Sequence, residues 1–145
     1  MEIVNRKASF LYFIEDTYEA GIVLKGTEIK SIRKGEANLK DSYVIIRNNE
    51  AYILNMFISK YEEGNINNHE ETRNRKLLLN KQEIMKLKSK INIEGYTIVP
   101  LKVYIKKDNA KVLIGVGKGK KIYDKRESIK QKDIERNERK ATNYF

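Results

Sequence analysis

Short apolar runs, each bounded by polar turn residues, make up the first part of the chain. Residues 10–14 and 21–24 are rich in aromatic and β-branched side chains, which predicts two strands joined by a turn at residues 16–17. An apolar spacing of three residues then predicts a helix over residues 27–33, ended by Gly35. The front of the chain is therefore predicted to hold two strands and one helix.

Two hairpins are predicted further along, because runs with apolar content flank short turns of Asn and Asp, which tolerate positive φ. Their strands and turns are residues 43–47, 48–49 and 50–56 for the first, and residues 101–106, 108–109 and 112–116 for the second. The second is the clearer one, since Leu101, Val103 and Ile105 recur at every second position on its first strand and Val112, Ile114 and Val116 do so on its second.

A helix is predicted between the two hairpins. Asn80 and Glu83 resemble a capping box, residues 84–91 continue with apolar side chains at helical spacing, and Gly95 is expected to close the helix. Residues 59–72 have almost no apolar content and are predicted to form the longest loop.

Five or six short strands with two or three helices predict a mainly β fold with helical insertions. A small closed antiparallel barrel of the oligonucleotide-binding type fits best, because closure removes exposed sheet edges in a short chain. We expect residues 1–117 to form this barrel domain and residues 118–145 to form a basic tail that is disordered when free. The glycines of residues 115–119 are interpreted as a flexible hinge between them.

Charge points to a polyanionic partner. The chain carries a formal charge of +10, and residues 118–140 hold 10 Lys or Arg against 5 Asp or Glu with few apolar side chains. No apolar run approaches the roughly 18 residues of a membrane span, and no cysteine is present for disulfide or thiolate chemistry. We therefore expect a soluble, cytoplasmic protein with no membrane span and no cofactor, and the charge by itself leaves nucleic acid and an anionic membrane surface as partners.

The strongest candidate contacts in the body lie in residues 73–81. If this stretch is extended, Leu77 and Leu79 point inward while Lys76, Leu78 and Asn80 point outward, a mixture suited to RNA bases and sugars. Arg73 and Arg75 add cations to the same predicted surface. The alternative, that the helix begins earlier and buries all three leucines, stays open.

Glu19 is a second candidate, since a carboxylate on a basic surface can accept hydrogen bonds from exocyclic amines or 2′-hydroxyls. A solvated residue at a strand edge is the plainer interpretation. Tyr12, Tyr18 and Tyr43 could offer stacking faces, although aromatic side chains in a small protein are usually core.

An enzyme is hard to build from this composition. His69 is the single histidine, which excludes metal sites with several histidines and leaves one general base for a hypothetical nuclease using Glu70 as its partner. A loop histidine that hydrogen-bonds its neighbours is the favoured interpretation, so no catalysis is expected.

Motifs across the chain resemble those of the SmpB family, the SsrA-binding proteins that partner transfer-messenger RNA in bacteria. The matching blocks are NRKA at 5–8, YEAGIVL at 18–24, GTEIKSIR at 26–33, NLKDSYV at 38–44, NHE at 68–70, RKLLL at 75–79, VPLK at 99–102, KGKK at 118–121 and YDKRE at 123–127. One departure is Glu71, which stands where the family commonly has proline.

The resemblance implies an adaptor that grips the tRNA-like domain of transfer-messenger RNA and enters stalled ribosomes for trans-translation, alongside elongation factor Tu and as a monomer. It places RNA contacts at Glu19, Leu78 and Asn80. It also implies a tail that folds in the empty mRNA channel and probes the decoding centre, through the hinge Gly119 and through Lys120, Lys121, Tyr123, Asp124, Lys125 and Arg126. A structural protein that stays bound to ribosomal RNA is the alternative.

Overall fold

The fold consists of short antiparallel strands with three helices in the described part of the chain, which in this computed structural model is residues 2–61, 68–93 and 95–120. The strands are β1 (Glu2–Val4), β2 (Tyr12–Ile22), β3 (Ala37–Asn38), β4 (Tyr43–Arg47), β5 (Glu50–Leu54), β6 (Phe57–Ile58), β7 (Arg75–Leu78), β8 (Tyr96–Lys106) and β9 (Asn109–Gly119). The helices are α1 (Ala8–Leu11), α2 (Gly26–Arg33) and α3 (Lys81–Ile91).

Six of the strands pair in a ring, in which the last strand pairs with the first. β8, β4, β5, β7, β2 and β9 are antiparallel neighbours in that order, and β9 pairs again with β8. β1 adds to β8 outside this ring, while β3 and β6 form a separate two-stranded pair. The prediction of a mainly β, antiparallel fold with helices between strands is confirmed.

Alternating side chains give the ring an apolar interior. Ala20 and Ile22 of β2 are buried together with Leu77 of β7 and with apolar residues from the other ring strands. Leu87 of α3 is fully buried in the same cluster. The polar side chains that matter for a partner therefore lie on the outer surface of the ring.

The predicted turn at residues 16–17 is wrong. β2 runs without a break from Tyr12 to Ile22 and shifts its register against β9 between Ile14 and Asp16, which is a bulge at Glu15. Residues 10 and 11 belong to α1 rather than to a strand. Polar residues that suggested a turn mark an irregularity inside one long strand.

The interpretation of residues 115–119 as a flexible hinge is also wrong. These residues belong to β9, and a Cβ atom added at Gly117 would lie 2.0 Å from the Phe13 carbonyl oxygen. The glycines are therefore sites of close approach between β9 and the bulged β2. β9 ends at Gly119, so the boundary predicted after residue 117 falls two residues inside the strand.

Both predicted hairpins are present, but the second turns through Lys107 and Asp108, with φ of 49° and 65°, rather than through residues 108–109, because Asn109 already pairs with Lys106. The first hairpin turns through Asn48 and Asn49 with φ of 53° and 60°, as the positive-φ preference of Asn predicts. The prediction that Gly95 closes α3 is wrong: the helix ends at Ile91 with Asn92 as its C-cap, and Gly95 follows four residues later with a φ of +87°. Within the described ranges, no helix has the length and apolar character needed to cross a membrane.

Candidate nucleic-acid interface

Leu78 lies on the outer surface where β7 meets β2. It is 54% exposed, whereas Leu77 beside it is 1% exposed and packs in the core. Because β7 is extended, successive side chains alternate between the two faces. The prediction that Leu78 faces outward is confirmed, and the alternative with all three leucines in a helix is wrong.

Gly21 makes room for Leu78. The two residues are directly opposite in the β2–β7 register, and a Cβ atom at position 21 would lie 3.2 Å from the Leu78 Cβ. A larger side chain at position 21 would therefore press on Leu78 and tilt it. The sequence analysis assigned no role to Gly21, because its significance depends on a strand pairing that is not local.

Lys76 lies outward on β7, two residues before Leu78. Its Nζ is 3.1 Å from Glu50 Oε1, and the Tyr52 hydroxyl donates to Glu50 Oε2 at 2.5 Å. Hydrogen bonds from Tyr52 first and Lys76 second lower the pKa of Glu50. Both side chains of the Lys76–Glu50 pair stay more than two-fifths exposed, so the ion pair is weak and Lys76 remains accessible to a phosphate.

Asn80 is both a helix cap and a surface residue. Its Oδ1 accepts from the Glu83 amide at 2.9 Å, and Glu83 Oε1 accepts from the Asn80 amide at 3.1 Å, which completes a capping box for α3. The side chain is exposed, and its Nδ2 is a donor that the capping box does not use. The predicted helix cap and the predicted surface position of Asn80 are both confirmed.

Glu19 belongs to the same outer surface. It precedes Gly21 by two residues on β2 and so shares its face, while Ala20 between them is buried. The Tyr104 hydroxyl donates to Glu19 Oε2, and Lys106 Nζ lies 3.5 Å from Oε1. The hydrogen bond from Tyr104, helped by Lys106, lowers the pKa of Glu19, so the carboxylate is ionised and acts only as an acceptor.

The predicted RNA contact at Arg75 is wrong. Arg75 is fully buried, with Nε 2.5 Å from Glu28 Oε2 and Nη1 donating to the Met56 carbonyl at 2.6 Å. Its Nη2 donates to the Glu71 carbonyl at 3.1 Å, and this hydrogen bond from a buried side chain fixes the backbone at Glu71. Arg75 shares the inward face of Leu77, and its role is to join β7 to α2.

Arg73 lies at the rim of the same buried cluster. Its Nη2 is 2.5 Å from Glu28 Oε1 and 3.3 Å from the Val23 carbonyl oxygen, and its side chain is 24% exposed. Burial alone would raise the pKa of Glu28, but hydrogen bonds from Arg73, the Lys25 amide and Arg75 outweigh it and lower the pKa. Glu28 is therefore an ionised, buried anchor that two arginines share.

His69 is also structural. It is buried, with Nδ1 2.8 Å from Thr27 Oγ1 and Nε2 2.9 Å from the Ile58 carbonyl oxygen. Since a carbonyl only accepts, Nε2 carries the proton and Nδ1 accepts from the Thr27 hydroxyl. Both ring nitrogens are occupied inside the protein, which contradicts the nuclease hypothesis that needs His69 at a substrate.

Of the predicted tail residues, Gly119 and Lys120 are described. The Lys120 amide donates to the Leu11 carbonyl at 2.8 Å, and Lys120 Nζ lies 4.8 Å from the centre of the exposed Phe13 ring. The predictions for Lys121, Tyr123, Asp124, Lys125 and Arg126 fall outside the described residues. The described chain thus ends beside α1.

The tyrosines offered as stacking faces do not gather around Leu78. Tyr12 lies at the start of β2, opposite Gly119. Tyr18 is half-buried against the core, and Tyr43 lies on β4, which does not pair with β7 or β2. Among the residues described, no group of three or more acidic, His or Cys side chains is placed to hold a metal.

Together, the outer residues form a chemically mixed surface, which we call the Leu78 surface: Glu19, Lys76, Leu78 and Asn80. It offers an ionised acceptor, a cation, an exposed apolar side chain and an amide donor. Such a mixture can bind RNA through bases, sugars and phosphates at once, and it contains no nucleophile paired with a base.

Comparisons with known proteins agree on one family. The family model described as "SmpB protein" matches residues 2–144. A relative called SsrA-binding protein from Shouchella clausii (strain KSM-K16) is 60% identical over 137 residues, covering 94% of this chain and 88% of the relative. Its namesake from Staphylococcus aureus (strain Newman) is 60% identical over 132 residues, with 91% and 86% covered.

A solved structure is similar along most of its length. It is described by the words "tmRNA-SmpB: a journey to the center of the bacterial ribosome", and it shares 42% identity with this chain at a TM-score of 0.73. The match covers 88% of this chain and 94% of the solved one.

Proposed function

The chain belongs to the SmpB protein family, and we propose that it is an RNA-binding adaptor of trans-translation without catalysis of its own. It binds transfer-messenger RNA and acts with it on stalled ribosomes, in keeping with relatives named for SsrA binding and a structural neighbour described with tmRNA and the ribosome. The adaptor recognises the tRNA-like domain of this RNA.

The observation that carries the proposal is the exposure of Leu78 beside an ionised Glu19 and the accessible Lys76. Leu78 is more than half exposed and lies against Gly21, so it contributes little to the core. An RNA loop offers what this surface lacks: apolar sugar and base faces for Leu78, amines or 2′-hydroxyls for Glu19 and phosphate for Lys76. Asn80 adds an amide donor at the edge.

The ring of antiparallel strands supports an oligonucleotide-binding-like barrel as the scaffold. In this interpretation β7 and β2 present the contact surface from the wall of the barrel. The buried Glu28, shared by Arg73 and Arg75, fixes the start of β7 so that Leu78 is held outward. Arg73 itself keeps one side toward solvent at the rim.

The basic tail would act on the ribosome rather than on transfer-messenger RNA. Residues 118–140 carry twice as many basic as acidic residues, which suits ribosomal RNA along the empty mRNA channel. Gly119 and Lys120 begin this segment, Lys121, Asp124, Lys125 and Arg126 supply its charge, and Tyr123 offers a stacking ring at the decoding centre. The tail is disordered when free and orders on this RNA.

Four further assignments complete the proposal. The adaptor is a monomer in the cytoplasm, and it meets elongation factor Tu through the RNA that both bind. It needs no cofactor. The alternative of a structural protein of the ribosome predicts a chain that stays on purified subunits through a high-salt wash, whereas an adaptor is released.

The testing experiment compares the full chain with a chain that ends at Lys120, because β9 and the Lys120 amide belong to the body. Transfer-messenger RNA binding is measured across a salt series, and peptide tagging is measured on stalled ribosomes. We expect the shorter chain to keep specific RNA affinity and lose tagging. If truncation removes most of the affinity and flattens the salt dependence, the tail is the RNA grip and the proposed division is wrong.

A further inference from the structure

A row of outward residues crosses four strands from Leu78. The register places Leu78 opposite Gly21, Gly21 opposite Lys111, and Lys111 opposite Tyr104. With strands about 4.8 Å apart, the row spans about 14 Å from β7 to β8. It joins the Leu78 surface to a part of β8 that no family resemblance or sequence motif had marked.

Tyr104 meets Glu19 at the far end of this row. Its hydroxyl donates to Glu19 Oε2, while Lys106 Nζ lies 3.5 Å from Oε1. Lys102 Nζ lies over the Tyr104 ring, 5.5 Å from its centre, in a cation–π contact. The contact on the ring and the hydrogen bond from the hydroxyl together hold the phenol in a defined position.

Without this contact the Glu19 side chain would be free to rotate, since it is exposed and its other partner is a flexible lysine. A carboxylate that is already oriented loses less conformational freedom when it binds RNA. Each carboxylate oxygen has two acceptor sites, so a bond from Tyr104 leaves acceptor capacity for an RNA amine or hydroxyl.

We propose that Tyr104 is a positioning residue that orients the Glu19 carboxylate toward RNA, and that the RNA-binding surface continues along the row to Lys111 and Tyr104. This inference rests on the proposed function and deepens it. Tyr104 acts through Glu19, whereas Lys111, a cation on the same row, contacts phosphate directly. The hydroxyl of Tyr104 stays protonated at neutral pH, because burial and the Glu19 carboxylate raise its pKa to about 12.

The chain contains a matched control for this arrangement. Tyr96, also on β8, donates to Glu15 Oε1 of β2 at 2.8 Å, with Lys90 Nζ 2.9 Å from Glu15 Oε2. The pair has the same chemistry and joins the same two strands as Tyr104 and Glu19, but it lies toward the bulge and away from Leu78. A loss specific to the Leu78 surface should therefore spare it.

The experiment measures binding of the tRNA-like domain of transfer-messenger RNA to the full-length variants Y104F, E19A, the double variant and Y96F. We expect Y104F to raise Kd about 2- to 13-fold with an unchanged salt slope, since no charge is removed. In the E19A background the same change should have no further effect, and Y96F should bind like the unaltered chain. Replacing Lys111 with Ala should reduce the salt slope by about 0.7–0.9.

A spectroscopic readout separates positioning from mere stability. Carboxyl carbon NMR of Y104F should show the Glu19 pKa rising toward its ordinary value, with the melting temperature close to that of the unaltered chain. Unchanged binding by Y104F, or an equal loss in the E19A background, would overturn the inference. If E19A and L78A both bind normally, it is the proposed RNA surface itself that fails.

Discussion

Leu77 and Leu78 are adjacent in sequence and lie on opposite faces of β7, so their substitution by alanine should have opposite consequences. Leu78 is 54% exposed and Leu77 is 1% exposed. We expect L78A to weaken binding of transfer-messenger RNA without destabilising the fold. L77A should destabilise the fold while leaving the Leu78 surface chemically intact.

The magnitudes follow from burial. Fully burying a leucine side chain contributes about 1.5–3 kcal/mol, and about half of Leu78 remains to be covered by RNA. Its loss should therefore cost about 0.8–1.6 kcal/mol of binding free energy, a rise of about 4- to 15-fold in Kd. Removing the buried Leu77 side chain should lower the free energy of unfolding by about 2–5 kcal/mol.

The assay pairs fluorescence anisotropy on labelled RNA with urea denaturation of each variant at the same temperature. L78A should keep the midpoint of the unaltered chain and bind more weakly at every salt concentration, with an unchanged salt slope because no charge is lost. If L78A binds as tightly as the unaltered chain, Leu78 does not contact RNA. If L78A unfolds as readily as L77A, its exposed position has been misassigned.

Substitutions at four other positions, Glu28, Gly117, Gly119 and Asn80, test the scaffold and the edge of the contact surface. Glu28→Gln should lower stability by about 3–5 kcal/mol, because it leaves two arginines without their buried anion. The folded-state pKa of Glu28 is lowered, so its contribution to stability is present above an unfolded pKa of about 4.3 and is lost as the pH falls through the folded-state pKa. The free energy of unfolding of E28Q should therefore fall less steeply with acid than that of the unaltered chain. An equally steep fall in both would contradict this. Gly117→Ala should prevent or strongly impair folding, since its Cβ would lie 2.0 Å from the Phe13 carbonyl oxygen, whereas Gly119→Ala should melt normally because its Cβ meets nothing closer than 4.0 Å. Asn80→Ser should keep the α3 cap and the thermal stability but weaken RNA binding. Asn80→Ala should weaken RNA binding as well and should also lose the cap, which lowers stability by about 1 kcal/mol. If both variants bind RNA as tightly as the unaltered chain, Asn80 does not belong to the contact surface.

The sequence predicted those features that depend on local chemistry. Asn48 and Asn49 predict the first hairpin turn because Asn tolerates the positive φ that the turn requires. The capping box of Asn80 and Glu83 likewise predicts the start of α3. Leu78 could be placed outward once its stretch was taken as extended, because alternation from a buried Leu77 leaves it no other face.

Features that depend on distant partners escaped the sequence analysis. Arg75 was predicted outward because it is charged, although alternation places it on the face of Leu77; the deciding partner, Glu28, lies 47 residues earlier. Asp16 and Thr17 suggest a turn because they are polar. The residue that accommodates the bulge in this strand, Gly117 on β9, lies about a hundred residues away and gives no local signal. Tyr104 carried a usable signal, since it alternates with inward apolar residues, but nothing local connects it to Glu19.

The most direct test is photo-crosslinking from a benzophenone side chain placed at position 78 or at position 43, with transfer-messenger RNA as the target. Both residues are exposed, and they lie on β7 and β4, which are not neighbours in the ring. We expect a specific crosslink from position 78 to the tRNA-like domain and none from position 43 to that domain. A crosslink from position 43 with none from position 78 would contradict the Leu78 surface as the RNA-binding site.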